Sequence, residues 1–109
     1  MFADAGAHLV SVLLISVAPD DCAYLVQQAA DMMKHKHDLA GFLEGEIFKS
    51  EDEQRILLIT EWTSRHAWSQ SQWDKEVADN LVSIVQTASA IDSRTYFRAG
   101  RSVGKADGL

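Results

Sequence analysis

The chain reads as an α+β protein whose elements run strand, helix, strand, strand, helix, strand around a four-stranded antiparallel sheet. Three observations carry that reading. Alternating or continuous apolar runs mark four strands, and apolar residues at helical spacing mark the helices between them. No repeat, low-complexity segment or linker interrupts the order. The first and third strands are apolar on both faces, as central strands covered on both sides must be.

The first strand is read in LVSVLLISVA, residues 9–18. The run looks like the core of a secretory leader. MFADAGAH before it carries Asp4 and no Lys or Arg, and Pro19 falls where the cleaved chain would start, which argues for a strand instead. It is also too short to cross a bilayer as a helix. Pro19 separates this strand from the first helix, for which Asp20 is the expected N-cap, with Asp21 in the first turn. Cys22, Leu25, Val26, Ala29 and Met33 recur at helical spacing, with Gln27, Gln28, Asp31 and Lys34 between them. The helix is expected to run to about His37, with Gly41 beyond its end.

Phe42 to Lys49 is the second strand, and Ser50 to Gln54 a polar hairpin loop. Arg55 to Trp62 is the third strand. Ser64 or Thr63 caps a short helix containing Ala67 and Trp68. A longer helix over Trp73 to Ala88 presents Trp73, Val77, Leu81, Ile84 or Val85, and Ala88 on one face. In the last strand, Ile91 to Arg98, Ile91, Ser93, Thr95 and Phe97 alternate with Asp92, Arg94, Tyr96 and Arg98. Residues 1–98 are then one domain and 99–109 a mobile tail.

This order is the ferredoxin-like split β-α-β arrangement. Its helices cover only one face of the sheet. The other face would leave Leu13, Ile15, Leu57 and Ile59, or their neighbours, in water. A monomer seldom exposes so large an apolar patch, so a homodimer with two sheets packed face to face is expected.

The chain has 109 residues, 47% of them hydrophobic, which favours one domain with a small core. Its net charge of −6, with scattered Lys and Arg, argues against a nucleic-acid partner. No membrane partner is expected either. Glu51-Asp52-Glu53 lacks a Gly-centred calcium loop and reads as a solvated turn. Cys22 is the only cysteine, so no disulfide within the chain is possible and a cytoplasmic location fits; it reads as a small buried hydrophobe. His35 and His37, two apart, do not share a helix face and read as a solvated helix end where cations suit the dipole. No phosphate loop, zinc pattern, nucleophile elbow or dinucleotide fingerprint is present, which argues against nucleotide and metal cofactors.

The stretch GFLEGEIFKSEDEQRILLITEWTSRHAWSQSQ resembles the antibiotic biosynthesis monooxygenase (ABM) domain of the dimeric α/β-barrel superfamily. The likeness rests on Gly41-Phe42-Leu43 opening a strand, the acidic hairpin Ser50 to Gln54, and Trp62-Thr63-Ser64 closing the next strand. It extends over residues 9 to 98. It implies a pocket between sheet and helices in each subunit. In the members that work without a cofactor, it implies oxidation of phenolic compounds to quinones.

Trp62 matches a pocket tryptophan of those members, and Trp68 a position held there by tyrosine. Leu58 stands where the family has an asparagine, and Phe48 where it has a histidine. Trp62, Trp68, Leu58 and Phe48, with Met33 as a flexible neighbour, are therefore the expected small-aromatic-binding residues. His66 is the candidate general base, since an imidazole titrates near neutral pH. The expected activity is monooxygenation of a phenolic or quinone-like compound with no cofactor. A non-catalytic ligand-binding dimer is the alternative. Haem-degrading relatives place a histidine on the last long helix and an asparagine on the first strand, and this chain has neither, which disfavours a haem reading.

Overall fold

The structure is a computed structural model that describes residues 8–104. Residues 1–7, with Asp4, and residues 105–109 of the expected tail lie outside the described residues. The elements are β1 (Leu9–Ser16), α1 (Pro19–His37), β2 (Phe42–Lys49), β3 (Arg55–Trp62), α2 (Arg65–Ser71), α3 (Lys75–Thr87) and β4 (Ala90–Phe97). The sheet has the order β2-β3-β1-β4, and every neighbouring pair is antiparallel. This is the expected α+β, ferredoxin-like arrangement with β1 and β3 at its centre.

Strand register decides which side chains meet the helices. Ile15 pairs with Ile56, Leu13 with Leu58, and Leu9 with Trp62, all on the covered face. Val10, Val12 and Leu14 lie on the other face with Leu57 and Ile59. This corrects the expected open face, because Leu13 and Ile15 sit under the helices. The parity was hard to read because Ser11 and Thr60, both polar, also point inward and are buried.

Helix α1 starts two residues earlier than expected from an Asp20 N-cap. Ala18 is its N-cap, makes no side-chain cap bond, and Pro19 occupies the first turn. Proline suits that place because its φ is preset and it lacks an N–H that would go unpaired there. Asp20 and Asp21 both favour the positive end of the helix dipole. The buried stripe is Cys22, Leu25, Ala29, Met32 and Lys36, alternating steps of three and four. Met32, rather than Met33, therefore continues the core face. Met33 packs beside β2, where Gly45 has no Cβ to collide with its sulfur.

Gly41 turns the chain from α1 into β2 with φ of 85°. Its carbonyl accepts the Thr63 N–H at 2.8 Å, and a Cβ there would collide with Ala67. Gly41→Ala is thus expected to cost about 2 kcal/mol or more, from left-handed backbone strain plus the clash. A urea titration of both proteins checks this; an unchanged midpoint would contradict it.

In the β2–β3 hairpin, the Ser50 hydroxyl donates to Asp52 at 2.7 Å and the Gln54 N–H donates to the same carboxylate at 3.0 Å. These bonds, the serine first, hold the Asp52 carboxyl below its ordinary pKa. Glu51, Asp52 and Glu53 are exposed, and Lys49 pairs with Glu53 at 2.9 Å. The acidic run is a solvated turn, and no cluster of three or more metal-ligating side chains occurs among the described residues.

Ser64 caps α2 by accepting the Ala67 N–H at 3.1 Å, and Asp74 caps α3 by accepting the Val77 N–H at 3.0 Å. The Asp74 cap starts α3 two residues later than expected. Trp73 is left in the preceding turn, 81% exposed, and is not part of the buried helix face. Two polar links tie α3 to α1: His35 Nδ1 to Glu76 at 2.6 Å, and Asn80 donating to Gln28 at 3.1 Å. His35 is therefore not simply solvated, as expected from sequence, but bridges two helices. His37 remains exposed beside Asp38. Residues 99–104 are exposed and carry no regular structure. No helix among the described residues is long and apolar enough to cross a membrane.

Candidate functional site

Helix α3 packs chiefly on α1, so it does not press closely onto the β1–β4 half of the sheet. The residues there are also short. Ser11 on β1, Ser93 on β4, and Ala88 and Ser89 leading into β4 leave space unfilled. The result is a cavity of about 380 Å³, within the range of small-ligand sites. Leu13 and Ile91 contribute from the sheet, and Val77, Leu81 and Val85 from α3. Trp68 and Gln72 line it from α2 and its C-terminal end. Met32 and Lys36 line it from α1.

Lys36 is the one titratable residue in this lining. It is 8% exposed, and its ammonium makes no hydrogen bond or ion pair with another described residue. Burial, which disfavours the charged form, lowers its pKa from 10.5 to about 8. The group is still predominantly an ammonium at neutral pH. Sequence reasoning missed it by reading the helix end around His35 and His37 as solvated. The available signal was spacing: Cys22, Leu25, Ala29 and Met32 point to position 36 as the next core site.

Of the six residues singled out from sequence, the cavity brings in Trp68 alone. Trp62 is fully buried on the sheet's covered face, paired with Leu9, and is not among the lining residues. Its indole N–H donates to Thr60 Oγ1 at 2.9 Å, and Phe42 meets it edge-on with ring centres 5.3 Å apart. Leu58 is 2% exposed and packs in the main core. Met33 lies against Gly45, as described above. Phe48 pairs with Leu57, so it points to the open face and does not line the cavity. His66 is exposed on the first turn of α2 and also lies outside the lining.

The sequence matches the family described as antibiotic biosynthesis monooxygenase over residues 9–79. No curated protein matches the chain. Among solved structures, it is similar to a mutant form of SnoaB, a cofactor-independent oxygenase from Streptomyces nogalater. That pair has a TM-score of 0.80 at 13% identity, covering 91% of this chain and 97% of that one. Protein SO0527 from Shewanella oneidensis gives a TM-score of 0.77 at 15% identity, with 85% and 92% covered. PA3566 from Pseudomonas aeruginosa gives 0.77 at 15% identity, with 86% and 96% covered. At such identities these likenesses speak to the fold. The family match itself runs from the start of β1 into α3, well over half of the chain, and the chain belongs to the antibiotic biosynthesis monooxygenase family.

Proposed function

We propose that this chain is a monooxygenase that takes a phenolic or quinone-like ring into the cavity between the sheet and α3, and works without a resident metal or flavin. The observation carrying the reading is the cavity: mostly apolar walls, one indole face and a few polar groups. A phenol can supply the electrons itself. Once deprotonated, its electron-rich ring reduces O2; one oxygen atom bonds to a ring carbon that loses its hydrogen, and the other leaves as water. Phenol plus O2 thus becomes quinone plus water. The protein binds and orients the ring, with Trp68 as a flat wall, and excludes bulk water.

The test is oxygen uptake with a panel of phenols, naphthols and hydroquinones, read together with product mass. One O2 should disappear per substrate, and the product should gain one oxygen and lose two hydrogens. Trp68→Ala is expected to lower kcat/KM about tenfold or more while leaving the fold intact. Ring binding without oxygen uptake would instead support the second reading, a non-catalytic binding dimer. The exposure of His66, which leaves the cavity without its expected imidazole base, favours that alternative. Haem fits the site poorly, because no histidine lines the cavity to serve as an axial ligand. A shifted Soret band at one haem per chain would contradict that statement.

The reading includes a homodimer built on the open sheet face. Val12, Leu14, Leu57 and Ile59 form an apolar patch there, with Phe48 and Tyr96 nearly half exposed beside it. Arg98 forks onto Glu61 at 3.3 and 3.4 Å, and His8 approaches the same carboxylate at 2.9 Å. Burial pushes the Glu61 carboxyl up, but these two partners outweigh it and hold it below its usual range. Sedimentation at micromolar concentration should give a dimer mass, and Ile59→Glu should give a monomer. A wild-type monomer mass would overturn this assignment. The free, buried Cys22 suits a reducing cytoplasm.

A further inference from the structure

We propose that Lys36 is the anion-binding residue of the cavity, and that the cavity selects an aromatic ring carrying one acidic oxygen, bound as its anion. This rests on reading the cavity as the ring site, though not on turnover.

Lysine ordinarily keeps its ammonium in water, as Lys34 on the exposed side of the same helix can. Lys36 instead continues the buried stripe one turn after Met32 and lines the cavity with it. No described side-chain nitrogen or oxygen is both sealed from solvent and unpartnered. An ammonium without a bond therefore retains open space beside it, and the cavity is the space Lys36 lines.

The nearby acids are engaged elsewhere. Glu76 on α3 holds His35, Asp74 caps α3, and Asp38 lies beside His37 at the end of α1. The sheet contributes no charged side chain to the lining, only hydroxyls such as Ser11 and Ser93 among its polar groups. A buried cation without a counter-charge is costly, and a ligand that brings one negative charge removes the cost. A second negative charge would face apolar walls, which disfavours phosphate esters and dicarboxylates. Trp68 lines the same cavity, so an anionic oxygen at Lys36 and a ring face at the indole are compatible with one compact ligand.

Such a site has a chemical consequence. An ammonium beside a phenol oxygen favours the phenolate and lowers the pKa of the bound phenol. The proton leaves to solvent, and the electron-rich anion forms without a histidine base. Affinity for the anion should be flat below about pH 8, where Lys36 is charged, and should fall as pH rises through that value.

The test uses 4-nitrophenol, whose absorbance reports its ionisation, and 4-nitroanisole as a neutral ring of similar shape. Wild type should bind the nitrophenolate at least tenfold more tightly than Lys36→Met or Lys36→Gln, and should lower the apparent pKa of the bound phenol. All three proteins should bind 4-nitroanisole equally. Equal nitrophenolate binding by either uncharged variant that unfolds cooperatively at or above the wild-type melting temperature, or binding of the neutral phenol alone by wild type, would overturn the proposal. Lys36-dependent anion binding with no oxidation of any phenol would leave the anion site standing and remove the monooxygenase reading. Unimpaired oxidation by Lys36→Met would do the reverse. Wild-type protein that binds neither ring overturns both.

Discussion

Lys36→Met is expected to stabilise the fold by about 3 kcal/mol at pH 7, although most core substitutions destabilise. The lysine's pKa falls from 10.5 to about 8 because the ammonium is desolvated, and each unit corresponds to about 1.4 kcal/mol. Below about pH 8 both folded and unfolded chains carry the proton, so the full penalty is present. Between pH 8 and 10.5 the folded chain releases it first, and the penalty fades. Above 10.5 both forms are neutral and the penalty is gone. Wild type should therefore gain stability relative to the methionine variant as pH rises through this window. Methionine, long and flexible, fills the same channel without a charge. Urea denaturation at pH 7 and pH 10 measures both effects, and equal stability at pH 7 would mean that the ammonium is not buried.

Trp62→Ala is expected to destabilise by about 3–5 kcal/mol, a large share of the stability of a domain this size. The indole is fully buried, its N–H satisfies the buried Thr60 hydroxyl, and it packs in a T-shaped contact with Phe42. Truncation opens a cavity and strips Thr60 of that partner. Trp68 is only partly buried and faces a cavity that already exists, so Trp68→Ala should cost much less. Thermal or urea unfolding of the two variants checks the contrast. Comparable losses, or an unaffected Trp62→Ala protein, would show that the tryptophans have been given each other's roles.

The four strands and the long first helix were legible in the sequence because their signals are local. Alternation, helical spacing and a proline before the helix each act within a few residues. The orientation of β1 was not, because both faces are apolar and only pairing with β3 distinguishes them. The placement of Trp73 turned on a single cap at Asp74. Lys36 had a readable spacing but the wrong chemical type for a core position, and the type outweighed the spacing. The cavity was least legible. Its small residues, Ser11, Ser89 and Ser93, lie at opposite ends of the chain and matter only once β4 lies beside β1. The family resemblance directed attention to Trp62, whereas the open space lies at Trp68.

The central claim is that the ring binds in the cavity walled by Trp68 and Lys36. Fluorine NMR of protein labelled with 5-fluorotryptophan tests it most directly, because Trp62, Trp68 and Trp73 occupy core, cavity wall and exposed turn. With resonances assigned by replacing Trp68 and Trp73 in turn with phenylalanine, titration with 4-nitrophenol should shift the Trp68 signal strongly and leave the other two nearly unmoved. A shift confined to Trp62 or Trp73, or no shift under conditions where the phenol is bound, would contradict the account.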